Sequence, residues 1–362
     1  MEENVSNPTS KHIETLYSFN TTYGADSVEW CPHVQYQNFF VCGNYELDET
    51  NTESVQKRLG CIYLFSVNCD TGLKLHQQVN TVGILDLKWC PNLVQGSSLL
   101  GAVNSDGILE IYQFEKESLN LLTKYVFNPN TIESILILSL DWSTGKYEND
   151  QPLISCSDSA GNIHVLHFNT TNLTVESFWH GHTFQAWITA FYYWDTNSIL
   201  SGGDDALFLV FDKRIKDMPV TKNKEHGAGV TSLHSNKSKE YVIASGSYDE
   251  NIRLWDIRHM KRSTDIFKMP GTLWRLKWDP FVQNFLLAAC MLGGVHIVSA
   301  LTNHPMGIVE SYYEHKNISY GADWSFLDKN EVEKFNSAGN VVIGTCSFYD
   351  KLLCISKTYC DF

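Results

Sequence analysis

The chain has 362 residues, of which 43% are apolar and 13% are aromatic, so it can bury a substantial core. Its formal net charge of −14 argues against a general nucleic-acid binder, because that function needs a basic surface. The ten cysteines include no CxxC pair and most lie in apolar runs, so we expect buried thiols rather than disulfides or a metal site.

The N-terminal segment MEENVSNPTSKHIETLYSF is polar and lacks the apolar core of a secretory signal. No apolar run approaches the roughly 20 residues that are needed to span a bilayer. We therefore expect a cytoplasmic protein without membrane contacts. Residues 1–10 are predicted to be disordered and residues 11–362 to form one domain. Within that domain IETLYSF, at 13–19, has the character of a strand that precedes the first repeat unit.

Seven similar units follow along the chain. Each opens with a short apolar segment, in chain order SVEWCP, ILDLKWCP, ILSLDWS, WITAFYYW, VTSLHSN, LWRLKWDP and GADWSF. Each opening segment is followed by two strand-like runs around a polar turn, as in LLGAVNSDGILEIYQF and YVIASGSYDENIRLWDIR.

Two of the units align without a gap. SGGDDALFLVFDKR, at 201–214, and SGSYDENIRLWDIR, at 245–258, are offset by about 44 residues, which places Phe211 on Trp255. A period of roughly 40–45 residues is typical of a propeller blade. The sequence therefore predicts an all-β, seven-bladed β-propeller whose N-terminal strand completes the last blade.

The unit at 245–258 resembles the WD40 repeat. In that family a histidine, a serine or threonine, a turn aspartate and a tryptophan form a buried hydrogen-bonded set. The resemblance assigns this set to His226, Ser245 or Ser247, Asp249 and Trp255. The polar segment 245–258 is then structural rather than an active site. Its buried carboxylate is hydrogen-bonded by the other members of the set.

Longer stretches are similar to the WD-repeat family of diphthamide biosynthesis, whose members are described as hydrolysing diphthine methyl ester and which is also called diphthine methyltransferase. These stretches include ADSVEWCP (25–32), HTFQAWITAFYYW (182–194), GTLWRLKWDPF (271–281), LLAACMLGG (286–294), YGADWS (320–325) and TCSFYDKLL (345–353). The resemblance implies a partner, elongation factor 2, with a modified histidine arm that carries a trimethylammonium and a methyl ester. It implies ester hydrolysis that releases methanol and needs no cofactor, and we expect a monomer.

No GxSxG or HExxH motif is present, so any catalytic group has to be assembled from separate blades. We predict catalytic roles for His180 as a general base, Arg275 as a donor to the ester carbonyl, and Asp323 as the group that orients or activates water. The alternatives are a surface histidine, a structural ion pair and a turn cap.

A trimethylammonium cannot donate hydrogen bonds, so its recognition depends on aromatic faces and nearby carboxylates. A cation over an aromatic face contributes about 0.5–2 kcal/mol. We predict that the substrate-binding residues are Trp187, Asp204, Glu250, Trp274, Tyr320 and Tyr349. The alternative is that these aromatic rings pack between blades.

Two other functions remain open from the sequence. Propellers are commonly interaction platforms, so a non-catalytic scaffold is one alternative. The tetrapeptide WDIR, at 255–258, resembles the WDxR box of substrate receptors for cullin-type ubiquitin ligases, which is the other. An ion pair at the edge of a blade also accounts for that tetrapeptide.

Overall fold

The computed structural model describes residues 13–50, 57–127, 135–147, 151–215 and 218–362. The strands in these ranges form seven antiparallel sheets of four strands each. The predicted all-β, seven-bladed propeller is confirmed. The segment predicted to be disordered, residues 1–10, lies outside the described residues.

The blades follow chain order. β1 (Glu14–Asn20) precedes blade 1, which contains β2 (Gly24–Trp30), β3 (Phe39–Leu47), β4 (Arg58–Asn68) and β5 (Gly72–Val82). Blade 2 contains β6 (Ile84–Trp89), β7 (Ser98–Asn104), β8 (Ile108–Glu115) and β9 (Ser118–Val126). Blade 3 contains β10 (Ile137–Trp142), β11 (Leu153–Asp158), β12 (Asn162–Phe168) and β13 (Leu173–His180).

The remaining four blades follow in the same order along the chain. Blade 4 contains β14 (Ile188–Phe191), β15 (Ser198–Gly202), β16 (Phe208–Asp212) and β17 (Thr221–Asn223). Blade 5 contains β18 (Val230–Ser235), β19 (Val242–Ser247), β20 (Asn251–Asp256) and β21 (Asp265–Lys268). Blade 6 contains β22 (Arg275–Trp278), β23 (Phe285–Ala289), β24 (Val295–Ser299) and β25 (Gly307–Tyr312). Blade 7 contains β26 (Ser319–Trp324), β27 (Val341–Ser347), β28 (Leu352–Thr358) and β1, with helix α1 (Lys329–Glu333) before β27. Short 3-10 turns occupy Val34–Tyr36 and Ile257–His259.

The ring closes through strand pairing at the chain ends. β1 pairs with β28 and places Phe19 opposite Leu353. β2 of blade 1 contacts β6 of blade 2 on one side and β26 of blade 7 on the other. The N-terminal strand therefore completes the last blade, as predicted, and the first strand of every blade lines a central channel.

Tryptophans at the ends of the first strands link neighbouring blades. In four blades the last residue of the first strand donates its indole N–H to a backbone carbonyl of the preceding blade. These bonds join Trp89 to Glu29 (3.1 Å), Trp142 to Lys88 (2.9 Å), Trp278 to His234 (3.1 Å) and Trp324 to Lys277 (3.0 Å). The repeated tryptophan of the opening segments is therefore an architectural residue.

The WD40-type hydrogen-bonded set in blade 5 is present as predicted, with Ser245 rather than Ser247 as its hydroxyl. The indole N–H of Trp255 donates to Ser245 Oγ at 2.7 Å, and Ser245 Oγ lies 2.8 Å from His226 Nε2. His226 Nδ1 lies 3.1 Å from Asp249 Oδ2. Ser247 instead donates to a backbone carbonyl. Since each polar group has a partner, the set stabilises the blade.

We expect Asp249→Ala to lower the free energy of unfolding by about 3 kcal/mol, because it leaves the nearly buried Arg253 and His226 without their carboxylate. Asp256→Ala is the matched control, since Asp256 pairs with the half-exposed Arg258 and its loss should cost under about 1 kcal/mol. Chemical denaturation of both variants measures the difference. Equal losses would contradict a structural role specific to the buried set.

Candidate functional site

The two ends of the channel differ in composition. We call the end where the first strands begin the upper mouth, and the end where they finish the lower mouth. The turns between second and third strands also lie at the upper mouth, because successive strands of a blade run antiparallel.

Six rings from blades 1, 4, 5, 6 and 7 form an aromatic cluster at the upper mouth: Tyr45, Trp187, Tyr248, Trp274, Tyr320 and Phe348. Trp274 has its ring centroid 5.6 Å from that of Trp187 and 4.8 Å from that of Tyr320. Trp187 precedes blade 4 and Trp274 precedes blade 6, so these two rings belong to blades that are not neighbours. The rings therefore converge at the channel mouth instead of packing only between adjacent blades.

The predicted binding residues Trp187, Trp274 and Tyr320 are brought together in this cluster. Asp204 joins them, since its Oδ1 accepts the indole N–H of Trp187 at 3.1 Å. Tyr349 is 65% exposed and lies at the rim, with its ring 5.0 Å from the ring of Phe348.

Two predicted site residues lie elsewhere. Glu250 is paired with Lys268 of the outer strand β21 at 3.4 Å, so it is not brought to the cluster. His180 is exposed at the end of β13, the outermost strand of blade 3, and its Nδ1 lies 3.0 Å from Asn162 Oδ1. His180 therefore shares the upper face of the propeller but not the channel.

Below the aromatic cluster lies an upper layer of charged groups, Asp26, Asp86 and Arg275. Arg275 Nη2 is 3.2 Å from Asp86 Oδ1, across the channel from blade 6 to blade 2. The register of β2 shifts between Ala25 and Ser27, so Asp26 is the extra residue of a β-bulge. Bulges commonly redirect a side chain next to a functional site.

The two carboxyls of the upper layer titrate in opposite directions. Burial raises the pKa of Asp26 to about 8, with the charge of Arg275 opposing the rise and that of Asp86 adding to it. Burial also acts to raise the pKa of Asp86, but the charges of Arg275 and Lys88 outweigh it and hold that pKa below its ordinary value. Near neutral pH the layer holds one ionised and one largely protonated carboxyl.

Several buried polar atoms near the upper mouth have no hydrogen-bond partner among the described residues, including Oγ of Ser105 and of Ser319. Oδ2 of Asp26 and Nε1 of Trp274 are the ones that belong to the channel acids and the aromatic cluster. Most buried polar atoms in folded proteins are paired, so an unpaired acceptor and an unpaired donor at one channel end call for an explanation. A polar ligand that reaches this depth would satisfy them.

A lower layer of four charged groups, Glu29, Lys88, Lys277 and Asp323, separates the upper layer from the lower mouth. Lys277 Nζ bonds to Glu29 and lies 3.0 Å from Asp323 Oδ1, while Lys88 Nζ lies 3.0 Å from Glu29 Oε1. Asp323 Oδ2 accepts the backbone N–H of Trp30 at 2.6 Å. Asp323 is therefore one layer below Arg275, with both carboxylate oxygens engaged.

A cavity of about 180 Å³ opens at the lower mouth, and we call it the lower cavity. Arg275 and Asp323 both line it, whereas the aromatic cluster does not. Within the described ranges no three His, Cys, Asp or Glu side chains converge as metal ligands. No helix in those ranges is long and apolar enough to cross a bilayer.

Comparison with known proteins assigns the fold to a repeat family. Residues 218–256 match the family described as WD domain, G-beta repeat. A chain in the crystal structure of the mitotic checkpoint complex superposes with a TM-score of 0.71, covering 99% of this chain and 97% of that chain. Its sequence identity is 15%, so this likeness shows the fold alone.

Other relatives are similar in sequence over most of the chain. The diphthine methyltransferase of Mus musculus is 38% identical over 336 residues, covering 87% of this chain and 70% of the mouse protein. The diphthine methyltransferase homolog of Dictyostelium discoideum is 37% identical over 371 residues, covering 92% of this chain and 96% of that protein. The chain belongs to the diphthine methyltransferase family.

In this family member several channel residues had no place among the predicted site residues: Tyr45, Asp86, Tyr248 and Phe348. Asp26 is a candidate at the channel mouth from its sequence position, but without a predicted role. Asp26 and Asp86 do carry a sequence signal. Each is an acid inside an opening segment, ADSVEWCP or ILDLKWCP, where the other strand residues are mostly apolar. An acid on a buried first strand has to face the channel, because both faces of the blade are packed.

The two upper-layer acids give opposite predictions for stability. Unfolded aspartate ionises near 3.8, whereas folded Asp26 keeps its proton until about pH 8, so stability falls as pH rises between these values. Asp26→Asn is therefore expected to raise the melting temperature, and the gain should grow from about pH 5 to about pH 8. Thermal unfolding of the variant and the unaltered protein across this range measures it.

Asp86→Asn is the matched control for that experiment. The lowered pKa of Asp86 means that its carboxylate stabilises the fold at neutral pH, and that this contribution is lost only as pH falls through the folded pKa. We expect its replacement to cost about 3 kcal/mol or more at neutral pH, because Arg275 and Lys88 lose a buried partner. A stability change of the same sign in both variants would contradict the assigned titration.

Proposed function

We propose that this chain is a diphthine methyl ester hydrolase. It removes the methyl ester from the modified histidine of elongation factor 2 during diphthamide biosynthesis, as a cytoplasmic monomer. Membership of the diphthine methyltransferase family supports a role in diphthamide biosynthesis. The observation that carries the reaction is the upper layer, where an unpartnered buried carboxyl oxygen lies beside a buried guanidinium under a cluster of aromatic rings.

The aromatic cluster recognises the trimethylammonium group. Trp187 is half-buried, so one part of its indole is open to a ligand, and Asp204 is held at its N–H. A cation on this ring gains the attraction of the ring face and of the carboxylate together. The exposed Tyr349 at the rim extends the aromatic surface toward the polypeptide that carries the arm.

The ester then reaches the upper layer. Arg275 donates to the carbonyl oxygen and stabilises the negative charge that develops there in the tetrahedral intermediate. Asp26 takes a proton from water as the water oxygen bonds to the carbonyl carbon. When the bond from that carbon to the methoxy oxygen breaks, Asp26 returns the proton to the leaving group, which departs as methanol. The product is the free carboxylate, and its proton is released to solvent.

Asp26 is better suited to this role than the two predicted groups. Asp323 has both oxygens bonded, to Lys277 and to the Trp30 backbone, and lies one layer deeper. His180 lies on an outer strand. Asp26 has an unbonded oxygen and a pKa of about 8, which makes it a stronger base than an ordinary aspartate once it is ionised.

Hydrolysis fits the chain better than methyl transfer, despite the family name. Nucleotide-type methyl donors are commonly held where a strand passes through a glycine-rich loop into a helix. The described residues are arranged in antiparallel sheets, with α1 as their one α-helix, which is five residues long. The loop from β26 into α1, residues 325–328, contains no glycine, so the described residues offer no glycine-rich strand–loop–helix unit for S-adenosylmethionine.

The ubiquitin-ligase alternative has no support from the WDIR tetrapeptide. Arg258 forms a two-point ion pair with Asp256, at 2.9 Å and 2.6 Å, and stacks on Tyr241 with its guanidinium carbon 3.7 Å from the ring centroid. Asp212 and Arg214 of blade 4 form the same pair. The tetrapeptide is therefore accounted for as an ion pair that the blades repeat.

The deciding experiment incubates the purified protein with elongation factor 2 bearing the methyl ester, without added cofactor. We expect the modified peptide to lose the mass of one methylene and methanol to appear in equal amount. A scaffold would leave the mass unchanged. A methyltransferase would change the mass only after S-adenosylmethionine is added, and in the opposite direction.

The aromatic cluster gives a second test. Trp274→Ala combined with Tyr320→Ala is expected to weaken binding of the methyl ester substrate roughly tenfold or more, because two ring faces are lost. A substrate with an unmethylated amine is the control, since its affinity should change less. Binding titrations and melting temperatures of the same variant separate recognition from folding. Unchanged turnover in the folded double variant would rule out the cluster as the cation site.

A further inference from the structure

The lower cavity lies at the opposite end of the channel from the aromatic cluster and is lined by different residues. Trp30, Trp142, Trp278 and Trp324 contribute to its wall, together with Tyr193. The indole N–H groups of all four tryptophans donate to backbone carbonyls. The four indoles are at most 2% exposed, so among these five rings the accessible aromatic surface is that of the partly exposed Tyr193.

The charged groups at the inner end of the lower cavity are already paired. Lys88 and Lys277 both bond to Glu29, and Lys277 also bonds to Asp323. Asp141, which also lines the cavity, accepts the backbone N–H of Trp142 at 3.0 Å and that of Phe191 at 2.7 Å. None of these groups is short of a partner.

His234 provides a free donor in the lower cavity. Its Nδ1 accepts the backbone N–H of Trp278 at 2.9 Å, so the ring proton lies on Nε2. No hydrogen bond to Nε2 is present within the described part of the chain. Burial holds the pKa of His234 well below its ordinary value, and the charges of Lys237, Lys277 and Lys88 add to this effect. The ring is therefore a neutral donor at physiological pH.

Lys237 provides the second free donor. Its ammonium lies 5.7 Å from the ring centroid of Tyr193 and has no ion pair within 4 Å in the described ranges. Although the residue as a whole is exposed, burial of the ammonium lowers its pKa, with the charges of Asp141 and Asp323 opposing the shift. Lys237 is exposed to solvent and also lines the cavity, so its ammonium can reach a ligand there.

We propose that the lower cavity binds a small organic anion, namely a carboxylate carried on a flat aromatic body. Lys237 and the Nε2–H of His234 hold the carboxylate, and the ring of Tyr193 packs against the body. The two donors suit an anion because the remaining charged groups of the cavity have partners. Arg275 lines this cavity as well as the upper layer, but Lys237, His234 and Tyr193 have no role in the proposed hydrolysis, so this proposal does not depend on it.

Benzoate is the probe for this site, and inorganic phosphate is the anion without an aromatic body. We expect calorimetric titration of the full-length protein to give saturable benzoate binding in the millimolar range or tighter, and weaker binding of phosphate. Lys237→Gln should weaken benzoate binding at least tenfold. Lys224→Gln is the matched control, because Lys224 is an exposed lysine that lines no part of the cavity.

Several results would overturn this assignment. They are the absence of saturable benzoate binding, phosphate binding as tight as benzoate binding, and unchanged benzoate binding in Lys237→Gln. Burial disfavours the charged form of Lys237, so its replacement should not lower the melting temperature, which tests that the variant is folded. Tyr193→Leu provides a second variant, expected to weaken benzoate binding but not phosphate binding. Ester hydrolysis in Lys237→Gln should equal that of the unaltered protein, so failure of this proposal is distinct from failure of the proposed function.

Discussion

Arg275→Met is expected to lower kcat/KM for hydrolysis of the diphthine methyl ester by roughly 10²–10³, the usual cost of losing one donor to a developing oxyanion. Arg275 is the one guanidinium of the upper layer, and it is buried next to Asp86. Because the site is screened from water, solvent does little to weaken the hydrogen bonds from its donors to the carbonyl oxygen. Steady-state kinetics with the methylated factor measures the loss.

Lys277→Met is the control for that prediction. Lys277 is also a buried cation on β22, and it also loses ion-pair partners when it is replaced, but it lies one layer deeper. We expect a comparable loss of thermal stability and a far smaller change in hydrolysis. Arg275→Lys keeps the charge but not the planar pair of donors, so it should recover part of the activity. Equal losses of activity in Arg275→Met and Lys277→Met would show that only stability was affected.

Asp26→Asn is expected to lower the rate of hydrolysis by roughly 10²–10⁴, since a positioned general base contributes about that factor. The base must be ionised, and the pKa of Asp26 in the free protein is about 8. In the unaltered protein kcat/KM should therefore rise with pH and level off above about pH 8. The variant should lack this rise, because asparagine does not titrate.

The same substitution distinguishes a catalytic from a structural role. Asp26→Asn is expected to stabilise the fold while it removes activity, whereas loss of a structural residue lowers both. Asp323→Asn is the control, since the pKa of Asp323 is about 6 and both of its oxygens are bonded. A pH profile that is flat in the unaltered protein, or that persists in Asp26→Asn, would exclude Asp26 as the base.

The channel also shows why some predicted site residues lie together and others do not. Trp187, Trp274 and Tyr320 are at or just before the start of a first strand, and every first strand begins at the same mouth of the channel. Their position in the repeat therefore fixes which face of the propeller they lie on and how far they lie from the channel axis. His180 lies on the upper face of the propeller, but at the end of an outer strand. The repeat pattern alone does not show that the last strand of a blade is far from the channel axis.

Glu250 lies apart from the aromatic cluster for a more local reason. It occupies a turn position with a φ of 64°, and its carboxylate is paired with Lys268 on the outer strand. Turn residues of this kind are common in any blade, so their direction is not visible in the sequence. Asp26 is the opposite case. Its opening segment shows an acid on a buried strand, but the bulge at Asp26 is a one-residue shift of register, and the sequence does not show that shift.

The sequence by itself determined the number of blades, the strand that closes the ring, the buried hydrogen-bonded set around Trp255 and the arrival of aromatic residues at one mouth. These features follow from local spacing, since each blade repeats the same alternation of apolar runs and polar turns. Only the tertiary structure decided that Arg275 meets Asp86 across the channel, that Asp26 keeps its proton, and that Asp323 lies in a different layer. Those properties depend on burial and charge contributed by several blades at once, and no single repeat contains them.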